Sequence, residues 1–275
     1  MEIGIFGKVF PRPTFGEVLA AVRAHGLSAI QLNLVSAGLP SLPEELPAET
    51  VAQLAGELKA HGVRVASLSG TFNMAHPDPA RRAEGLRRLE VLLGACAALE
   101  TDVLTICTGT RHPDNMWAWH ADNDSPEAWA DARATIRAAA EMAAGYGVAI
   151  GLEPEVANVV HSARKARRML DEVGLPNLKI VMDGANLFHT GELPRMTAIL
   201  EEAFELLGGD IVLAHAKDLA RDGEAGQMAA GTGRLDFDLY VRRLQQCGYR
   251  GAIVLHGLAE GEVDAAVQFL QGKLA

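Results

Sequence analysis

Eight apolar runs of strand length, alternating with amphipathic or alanine-rich stretches of helical length, predict an α/β fold, a single (β/α)8 barrel, for this 275-residue chain. Two further observations agree. The length is close to the roughly 250 residues such a barrel takes. The last four runs each end in a polar cluster, and the C-terminal ends of the strands form the catalytic face of such barrels.

The first run, 2–6, precedes a helical pattern over 15–25 that stops at Gly26. The second, 29–34, is followed by 48–61, which stops at Gly62. The third and fourth, 64–69 and 103–107, lead into helical patterns over 79–98 and 126–146. The fifth and sixth, 148–153 and 178–183, are followed by 162–173 and 194–207. The seventh, 211–215, precedes 239–247, which stops at Gly248, and the eighth, 252–256, precedes 262–270. Glycine just past a helix accepts the left-handed backbone that closes it. No linker-like stretch separates the units, so 1–275 reads as one domain. An open doubly wound sheet is the alternative, but no GxGxxG follows the first run.

Composition narrows the function. The net charge of −10, from 25 basic and 35 acidic residues, opposes nonspecific nucleic-acid binding, which needs Lys and Arg to neutralise phosphates. Three scattered cysteines with no CxxC pair suit a reducing compartment and exclude a cysteine-based zinc site. The chain starts directly on a strand-like run and has no apolar stretch near ~18 residues, so neither a signal peptide nor a membrane span is expected. A cytoplasmic protein is the resulting expectation.

The four polar clusters are Gly151-Leu152-Glu153-Pro154-Glu155, Met182-Asp183-Gly184-Ala185-Asn186, His215-Ala216-Lys217-Asp218 and Leu255-His256-Gly257. From Glu153 to Asp183 is 30 residues, to His215 a further 32 and to His256 a further 41, one strand and one helix per step. Alternate strand residues face one side, so Glu153 shares a face with Gly151, His215 with Leu213 and His256 with Val254. In a closed barrel Glu153, Asp183, His215 and His256 converge on one mouth. Two carboxylates and two imidazoles there describe a site for one divalent metal ion: Mn²⁺, Zn²⁺, Co²⁺, Fe²⁺ or Mg²⁺.

On these clusters, and most specifically on His215-Ala216-Lys217-Asp218, the chain resembles the xylose isomerase-like TIM barrels: sugar phosphate isomerases and epimerases, ketose 3-epimerases, hydroxypyruvate isomerase and, more distantly, endonuclease IV. The resemblance spans essentially the whole chain. It implies one metal held by Glu153, Asp183 and His215, with His256 where the family has a fourth-ligand Glu. In epimerases of this group two Glu ligands serve as acid and base on opposite faces of the substrate. Only Glu153 remains here, which favours aldose–ketose isomerisation. The implied activity is isomerisation or epimerisation, through an enediolate, of a small sugar, sugar phosphate or related hydroxy-carbonyl compound. Family practice also admits a homo-oligomer, while nucleic acid and membrane are not expected partners. An endonuclease IV-like phosphodiesterase needs many more histidine ligands at the strand ends than the nine histidines of this chain supply there. A non-catalytic metabolite-binding barrel with a decayed metal site is the other alternative.

Metal-assisted proton transfer next to a carbonyl needs a base within hydrogen-bond reach. Glu153 is that candidate, with Glu155 in reserve. Lys217 is expected to contact the substrate's oxygen or an anionic tail, or to pair with Asp218. Asn158 and Asn186 are candidates for binding hydroxyls, with a turn role as the alternative for each. The loops after the third and fourth runs face the same mouth. They offer Asn73 and His76, Arg111 as an anion clamp, and Trp117 with Trp119 as a lid or sugar-stacking wall. The alternative for all of them is loop packing. Gly231-Thr232-Gly233 lacks a Walker lysine and reads as a flexible loop rather than a phosphate cradle.

Overall fold

A computed structural model describes residues 1–275. Seven parallel strands come in sequence: β1 (Glu2–Phe6), β2 (Ala29–Leu32), β3 (Arg64–Ser69), β4 (Val103–Cys107), β5 (Ala149–Glu153), β6 (Leu178–Asp183) and β7 (Ile211–Asp218). A two-residue strand, β8 (Met228–Ala229), pairs antiparallel with the end of β7. The eighth barrel strand, β9 (Ala252–Leu255), pairs parallel with both β7 and β1 and closes the barrel. Eight helices surround it: α1 (Phe15–Ala24), α2 (Ala48–His61), α3 (Pro79–Cys96), α4 (Pro126–Gly145), α5 (Ala163–Val173), α6 (Met196–Leu207), α7 (Phe237–Gln246) and α8 (Val263–Leu274).

Local chemistry explains the helix ends. Thr14 and Glu17 form a reciprocal capping box at the start of α1. Ser125 and Ser162 accept backbone N–H groups at the starts of α4 and α5. Gly26, Gly62 and Gly248, read as helix stops, all take left-handed backbone, with φ of 73°, 62° and 79°. The main differences from expectation are that β7 runs three residues further, to Asp218, and that α8 continues to Leu274.

Packing divides the apolar residues into two groups. One core of 73 buried residues fills the space between strands and helices. A small cluster of Val181, Leu213, Ala252 and Val254 lies apart from it, with Phe6 and Ala66 against it. These alternate along their strands with residues of the outer core, which makes them the filling of the barrel itself. Gly151 belongs to the same tier: a Cβ there would lie 2.9 Å from Val181 Cγ2. One position further along each strand face come Glu153, Asp183 and His215, so the apolar filling is the floor on which the polar group stands. No helix is long and apolar enough to cross a membrane.

Candidate metal centre

Glu153, Asp183 and His215 end up at one level because the strand register puts them there. Asp183 pairs with His215, and Glu153 with Cys107. One ligand atom from each lies within 4.8 Å of the others. His215 Nδ1 is 3.3 Å from Glu153 Oε1 and 3.6 Å from Asp183 Oδ2. Below them the hydroxyl of buried Tyr240 lies 2.8 Å from the Met182 carbonyl and 2.9 Å from that of His215, tying β6 to β7.

Each member has one side committed and one side open. Asp183 Oδ1 accepts the Ala185 N–H at 3.0 Å. Its Oδ2 lies 3.2 Å from the buried Lys217 ammonium, yet accepts no well-aligned hydrogen bond. Glu153 Oε1 accepts from Asn186 Nδ2 at 2.8 Å. His215 Nε2 lies 2.7 Å from Gln31 Oε1, leaving Nδ1 toward the carboxylates.

The charges reinforce one another. Burial alone would lower the His215 pKa, but the facing Glu153 and Asp183 carboxylates raise it to about 9. Burial would raise Asp183, but Lys217 and then His215 hold it well below the ordinary carboxylate range. Burial likewise opposes the charge on Lys217, and the Asp183, Glu153 and Glu155 carboxylates more than reverse this. Burial, then the neighbouring Glu153 charge, push the Glu155 carboxyl up to about 7.

These residues fit a divalent ion. Two carboxylate oxygens and an imidazole nitrogen are a mixed hard and borderline donor set. An under-bonded buried carboxylate oxygen beside a cationic histidine and lysine is a group of charges that an ion can reorganise. Three protein donors with a position left for solvent or substrate is the pattern of catalytic rather than structural sites.

His256 does not join this group. Its ring lies between Phe6 and His215, with centroids 5.0 and 5.4 Å away and planes within 15° and 16° of parallel. An imidazole binds a metal along a lone pair in its own ring plane. Stacked rings therefore direct their lone pairs side by side, not to a common point. Burial, then the charges of Lys217 and His215, push the His256 pKa well below the ordinary imidazole value and keep it neutral. Its buried Nδ1 has no partner.

Above the triad opens a cavity of about 770 Å³. Glu153, Glu155, His215, Lys217 and His256 line it, and Trp117 and Trp119 stand on its rim, 56% and 61% exposed. The other candidates make the following hydrogen bonds. Asn73 Oδ1 accepts the N–H groups of Thr110 and Ala75. His76 accepts the Asp78 N–H on Nδ1 and bonds the Pro113 carbonyl through Nε2. Arg111 Nη1 pairs with Asp131 of α4 at 2.7 Å and donates to the Ala75 carbonyl at 3.0 Å. Asn158 is fully buried and accepts the Gly109 N–H at 2.6 Å. Asn186 Nδ2 donates to Glu153 Oε1, and its buried Oδ1 has no partner.

Lys217 and Asp218 do not pair, because neighbouring strand residues face opposite sides. Lys217 turns inward to Asp183, while Asp218 accepts four backbone N–H groups, from Leu219, Gly231, Gly233 and Leu235. That carboxylate moors the Gly231–Gly233 stretch expected to be a flexible loop. Sequence reasoning missed Gln31. The available signal was a lone amide inside the apolar strand Ala29-Ile30-Gln31-Leu32.

A family model for the xylose isomerase-like TIM barrel matches residues 19–272. A ketose 3-epimerase of Arthrobacter globiformis is 27% identical over 137 residues, which are 49% of this chain and 43% of that relative. The match thus spans less than half of the relative's length. The crystal structure of a D-tagatose 3-epimerase-like protein superposes with a TM-score of 0.78 at 16% identity, over 100% of this chain and 97% of that one. A structure of IOLI protein with a zinc atom superposes with a TM-score of 0.76 at 17% identity, over 99% of this chain and 96% of that one. At such identities these structures speak to the fold. With the family model covering all but the first strand and helix start and the last few residues, the chain belongs to the xylose isomerase-like TIM barrel family.

Proposed function

We propose that this chain is a divalent-metal-dependent isomerase or epimerase of a small sugar, a sugar phosphate or a related hydroxy-carbonyl compound. The observation that carries the reading is the convergence of Glu153, Asp183 and His215 beneath a cavity open to solvent. The partial match to a ketose 3-epimerase supports a sugar-like substrate.

A divalent ion held by these three residues supplies Lewis-acid stabilisation of the charge that builds on a carbonyl oxygen as the adjacent carbon loses its proton. The remaining work falls to side chains. Glu153 is the base: Asn186 fixes one of its oxygens, and no protein group donates to the other, Oε2. Holding the abstracted proton, Glu153 returns it to the neighbouring carbon. Glu155 stands in the cavity wall with its carboxyl pushed up by burial and by the Glu153 charge, which suits it to act as an acid toward a substrate oxygen. Lys217 adds a fixed positive charge to the cavity wall. The cavity presents no carboxylate from the end of β9 opposite Glu153, because the side chain there is His256 in its stack. Transfer of a proton between adjacent carbons is therefore favoured over inversion by two opposed carboxylates.

The test is exchange of carbon-bound hydrogen in D₂O, using Mn²⁺-loaded protein and D-fructose, D-psicose or D-tagatose. Metal-dependent deuterium incorporation, lost in Glu153→Gln, is the expected result. A protein that binds these sugars yet exchanges nothing with any metal would be a binding barrel instead.

A further inference from the structure

We infer that Gln31 is a positioning residue of the metal centre, locking His215 in the orientation that presents Nδ1 to the ion. The inference rests on reading Glu153, Asp183 and His215 as metal ligands.

The geometry is that of an anchored amide. Gln31 Oε1 is 2.7 Å from His215 Nε2. Gln31 Nε2 donates in the other direction, to Ser69 Oγ at 3.1 Å and Thr105 Oγ1 at 3.3 Å. Two hydroxyls from β3 and β4 accept from the amide nitrogen, and the carbonyl faces the histidine. A carbonyl has no proton to give, so His215 Nε2 must carry the hydrogen. That leaves Nδ1 as the nitrogen available to Glu153, Asp183 and an ion between them. Gln31, Ser69, Thr105 and His215 are all buried, at the bottom of the cavity wall.

The backbone is arranged to the same end. The pairing of β2 with β3 shifts register between Ile30 and Gln31. An irregularity of that kind re-aims the following side chain. Here it aims an amide across the barrel at a histidine 184 residues away in sequence.

Partners that orient a metal-bound histidine typically contribute 10–100-fold to metal affinity. The experiment is a Co²⁺ titration followed by visible ligand-field absorption, with Mn²⁺ affinity by calorimetry. The proteins are wild type, Gln31→Leu, Gln31→Glu and the double variant Ser69→Ala/Thr105→Val. Gln31→Leu is expected to bind both ions about 10–100-fold more weakly, with a changed Co²⁺ spectrum. Gln31→Glu, which keeps an acceptor, is expected to restore affinity to within a few-fold of wild type. The double variant frees the amide without touching it, and an intermediate loss is expected; it also serves if Gln31→Leu fails to fold. Wild-type affinity and spectrum in Gln31→Leu or, where that variant is unfolded, in the double variant would overturn the inference and leave the metal reading intact. Equal losses in Gln31→Leu and Gln31→Glu would overturn the acceptor role. A wild-type protein that takes up neither ion would overturn the metal reading itself, and the inference with it.

Discussion

Two groups of polar side chains lie at the same end of the barrel. One stands on or just past the last residues of β5, β6 and β7: Glu153, Glu155, Asp183, His215 and Lys217. The other sits in or against the loops after β3 and β4: Asn73, His76, Arg111 and Asn158. Both contain an imidazole and charged groups, but their hydrogen bonding differs. The loop group bonds mainly to backbone and to Asp131, pinning one loop to the next, and leaves only the Asn158 Nδ2 amide without a partner among its buried atoms. The strand-end group leaves Asp183 Oδ2 and Glu153 Oε2 without a hydrogen bond, and Glu155 in the cavity wall. Strands supply a rigid frame that can hold like charges together unsatisfied. Loops have no such frame and must use their polar atoms to make one.

The difference is sharpest where breaking it costs most. Asp183→Ala leaves the Lys217 ammonium buried without its partner, and removing one member of a buried pair costs about 3–5 kcal/mol. Denaturant unfolding should show that loss, and plasma mass spectrometry should show loss of bound metal. Glu153→Gln keeps the hydrogen bond from Asn186 within reach. It is expected to lower turnover about 10²–10⁴-fold with a melting temperature close to wild type.

Glu155 tests the frame by pH. In the unfolded chain a glutamate ionises near pH 4.3; in the fold it does so at about 7. Between these values the folded state binds more protons, so stability falls as pH rises across the window, by an amount on the order of 3 kcal/mol. Metal-free Glu155→Gln should lose this slope and be more stable than wild type at pH 8, but not at pH 4. A loop residue should behave in the opposite sense to Glu153. Asn73→Ala strips an acceptor from two backbone N–H groups and should cost about 1–3 kcal/mol of stability with turnover changed only a few-fold. The smallest effect is expected at the rim: Trp117→Ala should leave stability within about 0.5 kcal/mol and raise KM alone.

The strands and helices were legible because each carries its own period and its own stops, down to the glycines at 26, 62 and 248. Glu153, Asp183 and His215 were legible because strand parity and register are fixed by the backbone. His256 shows the limit of that argument. Its position at the end of β9 follows from parity, but the direction of its ring depends on Phe6, at the far end of the chain. The packing contacts of the loop residues were not legible because the same amide or guanidinium serves a loop or a ligand, and its partners are set by the fold. Gln31 was hidden for a related reason: its meaning lies in a histidine 184 residues away.

The mooring of the segment after β7 bears on how this barrel acquires new substrates. Residues 219–235 supply Gly223, Glu224, Ala225 and Gln227 to the cavity wall, and they are tied down by the Asp218 carboxylate through main-chain N–H groups. Such a tether runs through the main chain, but it needs glycine at several points: a Cβ would fall 2.5 Å from Asp218 Oδ1 at Gly233, 2.5 Å from the Asp218 carbonyl oxygen at Gly226 and 2.6 Å from the Phe269 ring at Gly231, which also has left-handed backbone. Within that stretch Glu224, Ala225 and Gln227 face the cavity and take no part in the tether, so mutation or a designed library can vary them while the glycines and the pairing of Ala229 with Lys217 stay in place. Diversity introduced there changes what the barrel accepts and leaves the chemistry at its floor in place.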